Sequence, residues 1–300
     1  NHAKGQIEEE SICPSAQWRD IMKIALLQMN IQLYDREANR HKVRSMLEQA
    51  MGKAPELDLV ILPELWTFPF LFKEDKESMT RQLAEYGEEY EGETLQFVSE
   101  MAATHNVWIV AGSLPLKNPD GTFGNTTVIF DRRGKIVEKY SKVHLCEWCG
   151  ETNAFEKGNE ITVADTEIGR IAPIICYDIR FPELARTAAL KGAELLAVAS
   201  DFGHDPKEPK VDIWRTLLKA RAIENMIFVA ACDRCGTGPE SSYFGHSMII
   251  DPYGRVIAEG GEEEEVVIGE IDYRLVEEAR RKIPVWQDRR PEVYNLEKQI

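Results

Sequence analysis

The run Ile171-Ala172-Pro173-Ile174-Ile175 is apolar and β-rich, and it stops abruptly at Cys176, where Tyr177-Asp178-Ile179-Arg180-Phe181 leads to Pro182. This strand–elbow–helix order constrains the fold more than any other feature of the chain. A short apolar run bounded by turn residues reads as a buried strand. Proline suits the first helical turn, where its missing N–H has no intrahelical partner to lose. At such an elbow the sheet edge opens to a cleft, and backbone N–H groups can face a bound carbonyl oxygen. Cys176 is therefore either a nucleophile or a small buried apolar side chain, and its company has to decide.

The same rhythm runs along the chain. Lys23–Met29 reads as a strand, and Arg36–Met51 carries Val43, Met46, Leu47 and Ala50 at helical spacing. Leu57–Leu62 is a strand bounded by Pro55 and Pro63, with Glu64 directly after it. A helix is expected over Thr94–His105, a strand over Val107–Gly112, and a hairpin from Asn125–Asp131 and Lys135–Tyr140 across Arg133-Gly134. Beyond Ile175 the expectation is a helix (Pro182–Lys191), a strand (Leu195–Ser200), a helix (Trp214–Asn225) and a strand (Ile227–Cys232). A hairpin of Phe244–Ile250 with Arg255–Ala258, a strand (Val266–Ile271) and a helix (Tyr273–Arg281) follow. Alternating strands and helices with hairpins between them predict a layered α/β domain over residues 22–300. Residues 1–21 lack periodicity and are expected to be a mobile extension.

Charge narrows the partners. The net charge of −15 disfavours nucleic acid and anionic membrane surfaces, which attract basic faces. No stretch approaches the 18 or more apolar residues of a membrane span, and no signal peptide is visible. A cytoplasmic location is the expectation, with reduced cysteines.

Ile175-Cys176-Tyr177-Asp178-Ile179-Arg180-Phe181-Pro182-Glu183 resembles the nucleophile motif of the nitrilase superfamily of carbon–nitrogen hydrolases. Leu62-Pro63-Glu64 resembles the first catalytic motif of that family and Tyr140-Ser141-Lys142-Val143-His144-Leu145 the second. Arg221-Ala222-Ile223-Glu224-Asn225 and Asp251-Pro252-Tyr253-Gly254 resemble further signatures. Order and spacing agree from about Met22 to Tyr294, and three motifs in order are far more specific than any one. The resemblance implies a four-layer α-β-β-α sandwich, a homo-oligomer (dimer or higher), a small amide substrate and no cofactor.

Amide hydrolysis needs a nucleophile, an oxyanion site and a proton for the leaving amine. A free thiol, of pKa about 8.5, is mostly protonated at neutral pH and needs a base. Glu64 and Cys176 leave their strands where the fold can join them, so Glu64 is the candidate base and later acid. Lys142 and the amide N–H of Tyr177 are the candidate oxyanion partners. The resemblance implies a second glutamate beyond the lysine: Glu151 is preferred to Glu147. A Cys–His enzyme using His144 would need an Asn or Asp orienter and different surroundings of the cysteine, so His144 reads as a structural hydrogen-bonding residue. The implied cycle passes through a thioester on Cys176.

The motifs, with Ile283-Pro284-Val285-Trp286-Gln287-Asp288, resemble most the ω-amidase-like branch. N-carbamoyl-amine or aliphatic amide hydrolysis is the alternative, and a non-catalytic scaffold a remote one. Trp66 and Phe202 are candidate pocket walls, with core packing as the competing reading. Four cysteines form two Cys-x-x-Cys pairs, Cys146/Cys149 and Cys232/Cys235. Simple packing, with no metal, is the expectation; a zinc site of four thiolates and a disulfide are the other readings.

Overall fold

Residues Ile21–Gln28 form the first strand, β1, and its alternate side chains enter two different cores. Met22, Ile24 and Leu26 face one way and Ala25 and Leu27 the other, and all five are buried. A strand covered on both faces lies inside a stack of layers, which is why it reads as a continuous apolar run. The computed structural model describes residues 21–70, 75–204, 210–238 and 242–294. The expected mobile extension thus lies, but for Ile21, outside the described residues.

After β1 come α1 (Arg36–Lys53), β2 (Leu59–Ile61), α2 (Lys76–Tyr86), α3 (Glu93–His105), β3 (Trp108–Val110), β4 (Leu114–Lys117), β5 (Phe123–Phe130) and β6 (Ile136–Ser141). The second half runs β7 (Ala164–Thr166), β8 (Gly169–Ile175), α4 (Pro182–Leu190), β9 (Leu195–Ser200), β10 (Gly203–His204), α5 (Lys210–Asn225), β11 (Phe228–Asp233), β12 (Cys235–Thr237) and β13 (Ser242–Phe244). It ends with β14 (Met248–Ile250), β15 (Val256–Glu259), β16 (Glu265–Asp272) and α6 (Arg274–Lys282). Among the described residues, one sheet has the order β16-β1-β2-β3-β5-β4, with β6 also on β5. A second has β15-β14-β11-β9-β8-β7, and β10-β13-β12 form a small third sheet.

Three cores separate the layers. Val43, Leu47, Leu95 and Val98 of α1 and α3 pack on Leu27, Val60 and Leu62. Ile24, Leu26 and Ile61 of the first sheet meet Ile171, Leu195, Ala197 and Ala230 of the second. Leu184, Ala188, Trp214 and Leu218 of α4 and α5 cover Ile174, Val198 and Val229. The result is the expected α-β-β-α sandwich.

Several expectations need correction. Helix α2 and strands β4, β7, β10 and β12 were not anticipated; α2 is nevertheless signalled by its N-cap, where Asp75 accepts from the N–H of Ser78 at 2.8 Å. Phe244–Ile250 is not one strand. Gly245 and His246 take positive φ in succession, 69° and 50°, which carries the backbone out of the extended region. The chain there steps from the small sheet into the second sheet.

Parallel pairing sets the site. Ile175 of β8 pairs with Ala199 of β9, and Ile61 of β2 pairs with Val110 of β3. Cys176, Asp201 and Glu64 therefore all follow the C-terminal ends of parallel strands, the edge at which open α/β sheets bind ligands.

Candidate active site

Glu64 is held by its backbone before its side chain acts. Leu62 donates to the carbonyl of Val110 at 3.1 Å, and Glu64 itself donates to that of Ser200 at 3.3 Å, which joins the first sheet to the second. Leu65, at φ 48°, turns the chain out of the sheet and donates to Ser113 Oγ at 3.1 Å. Gly112 makes room for that turn: a Cβ on it would lie 2.0 Å from the carbonyl oxygen of Pro63. The carboxylate of Glu64 is 2% exposed. Its Oε1 accepts from Lys142 Nζ at 2.8 Å and from Asn125 Nδ2 at 2.7 Å, and its Oε2 accepts from the N–H of Asp201 at 3.0 Å.

Lys142 follows β6 directly. Its N–H donates to the carbonyl of Asn125, and its own carbonyl accepts from Gly158. The buried ammonium lies 2.7 Å from Glu151 Oε1 and 2.8 Å from Glu64 Oε1. Burial pulls a lysine down, but the carboxylates of Glu151 and Glu64 outweigh it and hold Lys142 well above the usual lysine range. Glu151 is buried too; its Oε2 accepts from the N–H of Cys146 at 2.5 Å. Burial raises its carboxyl against the pull of Lys142, and the charge of Glu64 adds to the rise. Glu147 is exposed and does not join this cluster.

Cys176 is a free thiol, 9% exposed, at φ 41°. A non-glycine residue there costs about 1–3 kcal/mol and persists only where its surroundings over-determine it. Burial pushes the thiol well above its usual range; Glu64 adds to this, while Lys142 and the N–H of Asp201 oppose it. Ionisation of this sulfur therefore calls on a base. Asp201 has its own burden: burial, opposed by Arg234 and aided by Glu64, pushes it up to about 7. Its Oδ2 is 3.5 Å from an Arg234 guanidinium nitrogen.

Phe202 is buried in the core that also holds Cys176, with ring centroids 5.3 Å from Trp214 and 5.9 Å from Phe244. Tyr177 is half-buried, its ring edge-on to Phe181. Trp66 is corrected: it sits in the core beneath α1 and α3, fully buried, its indole N–H donating to the carbonyl of Ala111 at 2.9 Å. The turn at Leu65 sends it inward, not to a cleft wall.

The cysteine pairs do not meet. Cys146 and Cys149 form a disulfide, against the expectation of reduced, merely packed thiols. Cys232 and Cys235 are free and buried, with sulfurs near the carbonyl oxygens of Leu27 and Gln28. Among the described residues no three His, Cys, Asp or Glu side chains are placed to hold a metal, so the four-thiolate reading fails.

Asn125 and Asp201 escaped the sequence reading. Asn125 is the third residue of β5 and is buried like the rest of that strand after Phe123; a buried polar side chain is the informative exception. Asp201 touches Glu64 through its backbone, which no residue type announces.

Residues 23–281 match the family model described as carbon-nitrogen hydrolase. Over 271 residues the chain is 36% identical to 2-oxoglutaramate amidase of Bacillus subtilis (strain 168), covering 90% of this chain and 98% of that protein. It is 32% identical over 288 residues to omega-amidase NIT3 of Saccharomyces cerevisiae, covering 91% and 95%. The solved structure of a carbon-nitrogen hydrolase from Helicobacter pylori G27 superposes with a TM-score of 0.86 at 28% identity, covering 93% of this chain and 99% of that one. With these motifs, this sandwich and these relatives, the chain belongs to the carbon–nitrogen hydrolases of the nitrilase superfamily.

Proposed function

We propose that this chain hydrolyses the terminal carboxamide of a small keto-acid amide, an ω-amidase-type reaction, with Cys176 as nucleophile. The observation that carries this reading is the buried cluster in which Lys142 Nζ touches both Glu64 and Glu151 beside the Cys176 thiol. The similarity to a 2-oxoglutaramate amidase and an omega-amidase supports the substrate class.

In the proposed cycle Glu64 takes the thiol proton as sulfur attacks the carboxamide carbon. Lys142 and the N–H of Tyr177 stabilise the charge that develops on oxygen. Glu64 then gives its proton to nitrogen, ammonia leaves, and a thioester remains on Cys176. Water, deprotonated by Glu64, attacks that thioester and releases the carboxylic acid and the thiol. Glu151 is a second carboxylate on the ammonium and restrains it from collapsing onto the base. The working form is a cytoplasmic homo-oligomer in this reading; no helix among the described residues is long and apolar enough to cross a membrane.

The test is ammonia release from 2-oxoglutaramate, an N-carbamoyl amine and a simple aliphatic amide, with C176A as the blank. A kcat/KM highest for 2-oxoglutaramate is expected. Preference for the carbamoyl amine or the aliphatic amide would overturn the substrate class, and release equal to the blank for all three would overturn the enzyme assignment.

A further inference from the structure

We propose that Asp178 and His144 are positioning residues that hold Lys142 in register with Cys176; this rests on the roles given above to those two residues. Asp178 lies two residues after Cys176, on the elbow, and is fully buried. Its Oδ2 accepts from the hydroxyl of Tyr140 at 2.7 Å and from the N–H of Ile175 at 3.1 Å. Its Oδ1 accepts from the N–H of His144 at 3.0 Å and meets His144 Nδ1 at 2.8 Å. With the proton on Nδ1, the ring of His144 donates to the same carboxylate oxygen as its backbone N–H.

The four donors come from both sides of the reacting pair. Ile175 precedes the nucleophile. Tyr140 and His144 flank Lys142 two residues away on either side, and the Tyr140 hydroxyl also accepts from the N–H of Val143 at 3.4 Å. The other backbone bonds of Lys142 run to Asn125 and Gly158, which fix it against β5 and the following loop. Neither bond reaches the elbow. Asp178 does, because one carboxylate binds the segment of Lys142 on one side and the strand leading into Cys176 on the other. The elbow then grips the histidine a second time: the ring of Phe181 stacks on His144 with centroids 3.6 Å apart and planes within 6°.

The histidine side chain keeps 27% of its surface exposed, so its removal opens little core. Its hydrogen bond and stacking tie Lys142 to the elbow, and a displacement of about 1 Å of a reacting group can cost about 100-fold in rate. The same carboxylate steadies the left-handed conformation at Cys176, since Ile175 and Asp178 are bonded across it.

The experiment compares H144A, H144N and D178N with the parent and C176A, measuring kcat and KM on 2-oxoglutaramate, iodoacetamide labelling of Cys176 by mass spectrometry, and melting temperature. H144A is expected to lose about tenfold or more in kcat with KM within about threefold, and to label at a changed rate. In H144N the amide nitrogen can take the place of Nδ1, and most of the rate should return. D178N sets an NH2 against two of its four donors and should lose about 100-fold; if it does not fold, the two His144 variants decide. A kcat for H144A within twofold of the parent, or an H144N as impaired as H144A, overturns the proposal. C176A separates the two readings: if it keeps its activity, the nucleophile assignment has failed instead.

Discussion

Asn125 Nδ2 lies 2.7 Å from Oε1 of Glu64, and the same nitrogen lies 3.2 Å from Oε1 of Glu151. One neutral amide thus shares with Lys142 the work of holding two buried carboxylates together. Like charges so placed repel strongly away from water, and each oxygen needs a donor. Hydrogen bonds to charged groups contribute about 1.5–3 kcal/mol each. We expect N125A to lower kcat by about 10- to 100-fold. N125D, which adds a third carboxyl, should lower it further and reduce the melting temperature as well. Steady-state kinetics and a thermal melt on the three proteins check the order.

Replacement of the nucleophile should separate activity from stability. C176A removes one sulfur from a site already 9% exposed, and alanine keeps the backbone position. Turnover should fall to that of an enzyme-free control while the melting temperature stays within a few degrees. Residual amidase activity after removal of contaminating enzyme would contradict the thioester route.

The two glutamates of the Lys142 loop should behave oppositely. Glu151→Gln weakens the contact at 2.7 Å with Lys142 and presents an amide nitrogen where the ammonium or the Cys146 N–H needs an acceptor. A loss of about 100-fold in kcat is expected. Glu147→Gln alters an exposed side chain and should leave kcat within twofold. Parallel assays of both variants decide, and the reverse result would exchange their roles.

Gly112 is a backbone test of the same site. It holds φ 66°, and an added Cβ would sit 2.0 Å from the Pro63 carbonyl oxygen. No flexible side chain can give way there. Gly112→Ala should cost about 1–3 kcal/mol from strain alone and shift Pro63 and Glu64 against Lys142. Chemical denaturation and kcat should both fall; an unchanged kcat would mean that the Glu64 turn adapts freely.

Asp201 predicts a pH dependence of stability. Its folded pKa of about 7 is above the unfolded value of 3.8. Between those values the folded state binds the proton more tightly, so this group's contribution favours folding most below pH 3.8. It is lost progressively as pH rises through the window and is gone above about 7. The free energy of unfolding should therefore carry a negative slope from this residue between about pH 5 and 7, at most about 1.4 kcal/mol per pH unit. Asp201→Asn, which cannot titrate, should flatten that slope in urea denaturation series at pH 5, 6, 7 and 8. An unaltered slope would show that Asp201 keeps an ordinary carboxylate pKa beside Arg234.

Local pattern alone determined a large part of this protein. Apolar runs placed β1, β8 and β9 within about two residues, because a strand covered on both faces must be apolar at successive positions. The elbow at Cys176, the hairpin at Gly134 and the glutamate after Leu62-Pro63 were legible for the same reason: each depends on neighbours in the chain. What the sequence could not carry was which distant groups meet. Glu64 finds Asn125 across 61 residues and Asp201 across 137, through sheet pairing that no local periodicity encodes. Trp66 reads the same whether it lines a cleft or a core; the positive φ at Leu65 sends it inward. The cysteine pairs have equal spacing, yet Cys146 and Cys149 lie in a turn where their sulfurs bond, while Cys232 lies on β11 and packs into the core between the two sheets. Spacing along the chain sets what a residue can do, and only the packing of the two sheets decided what stood beside it.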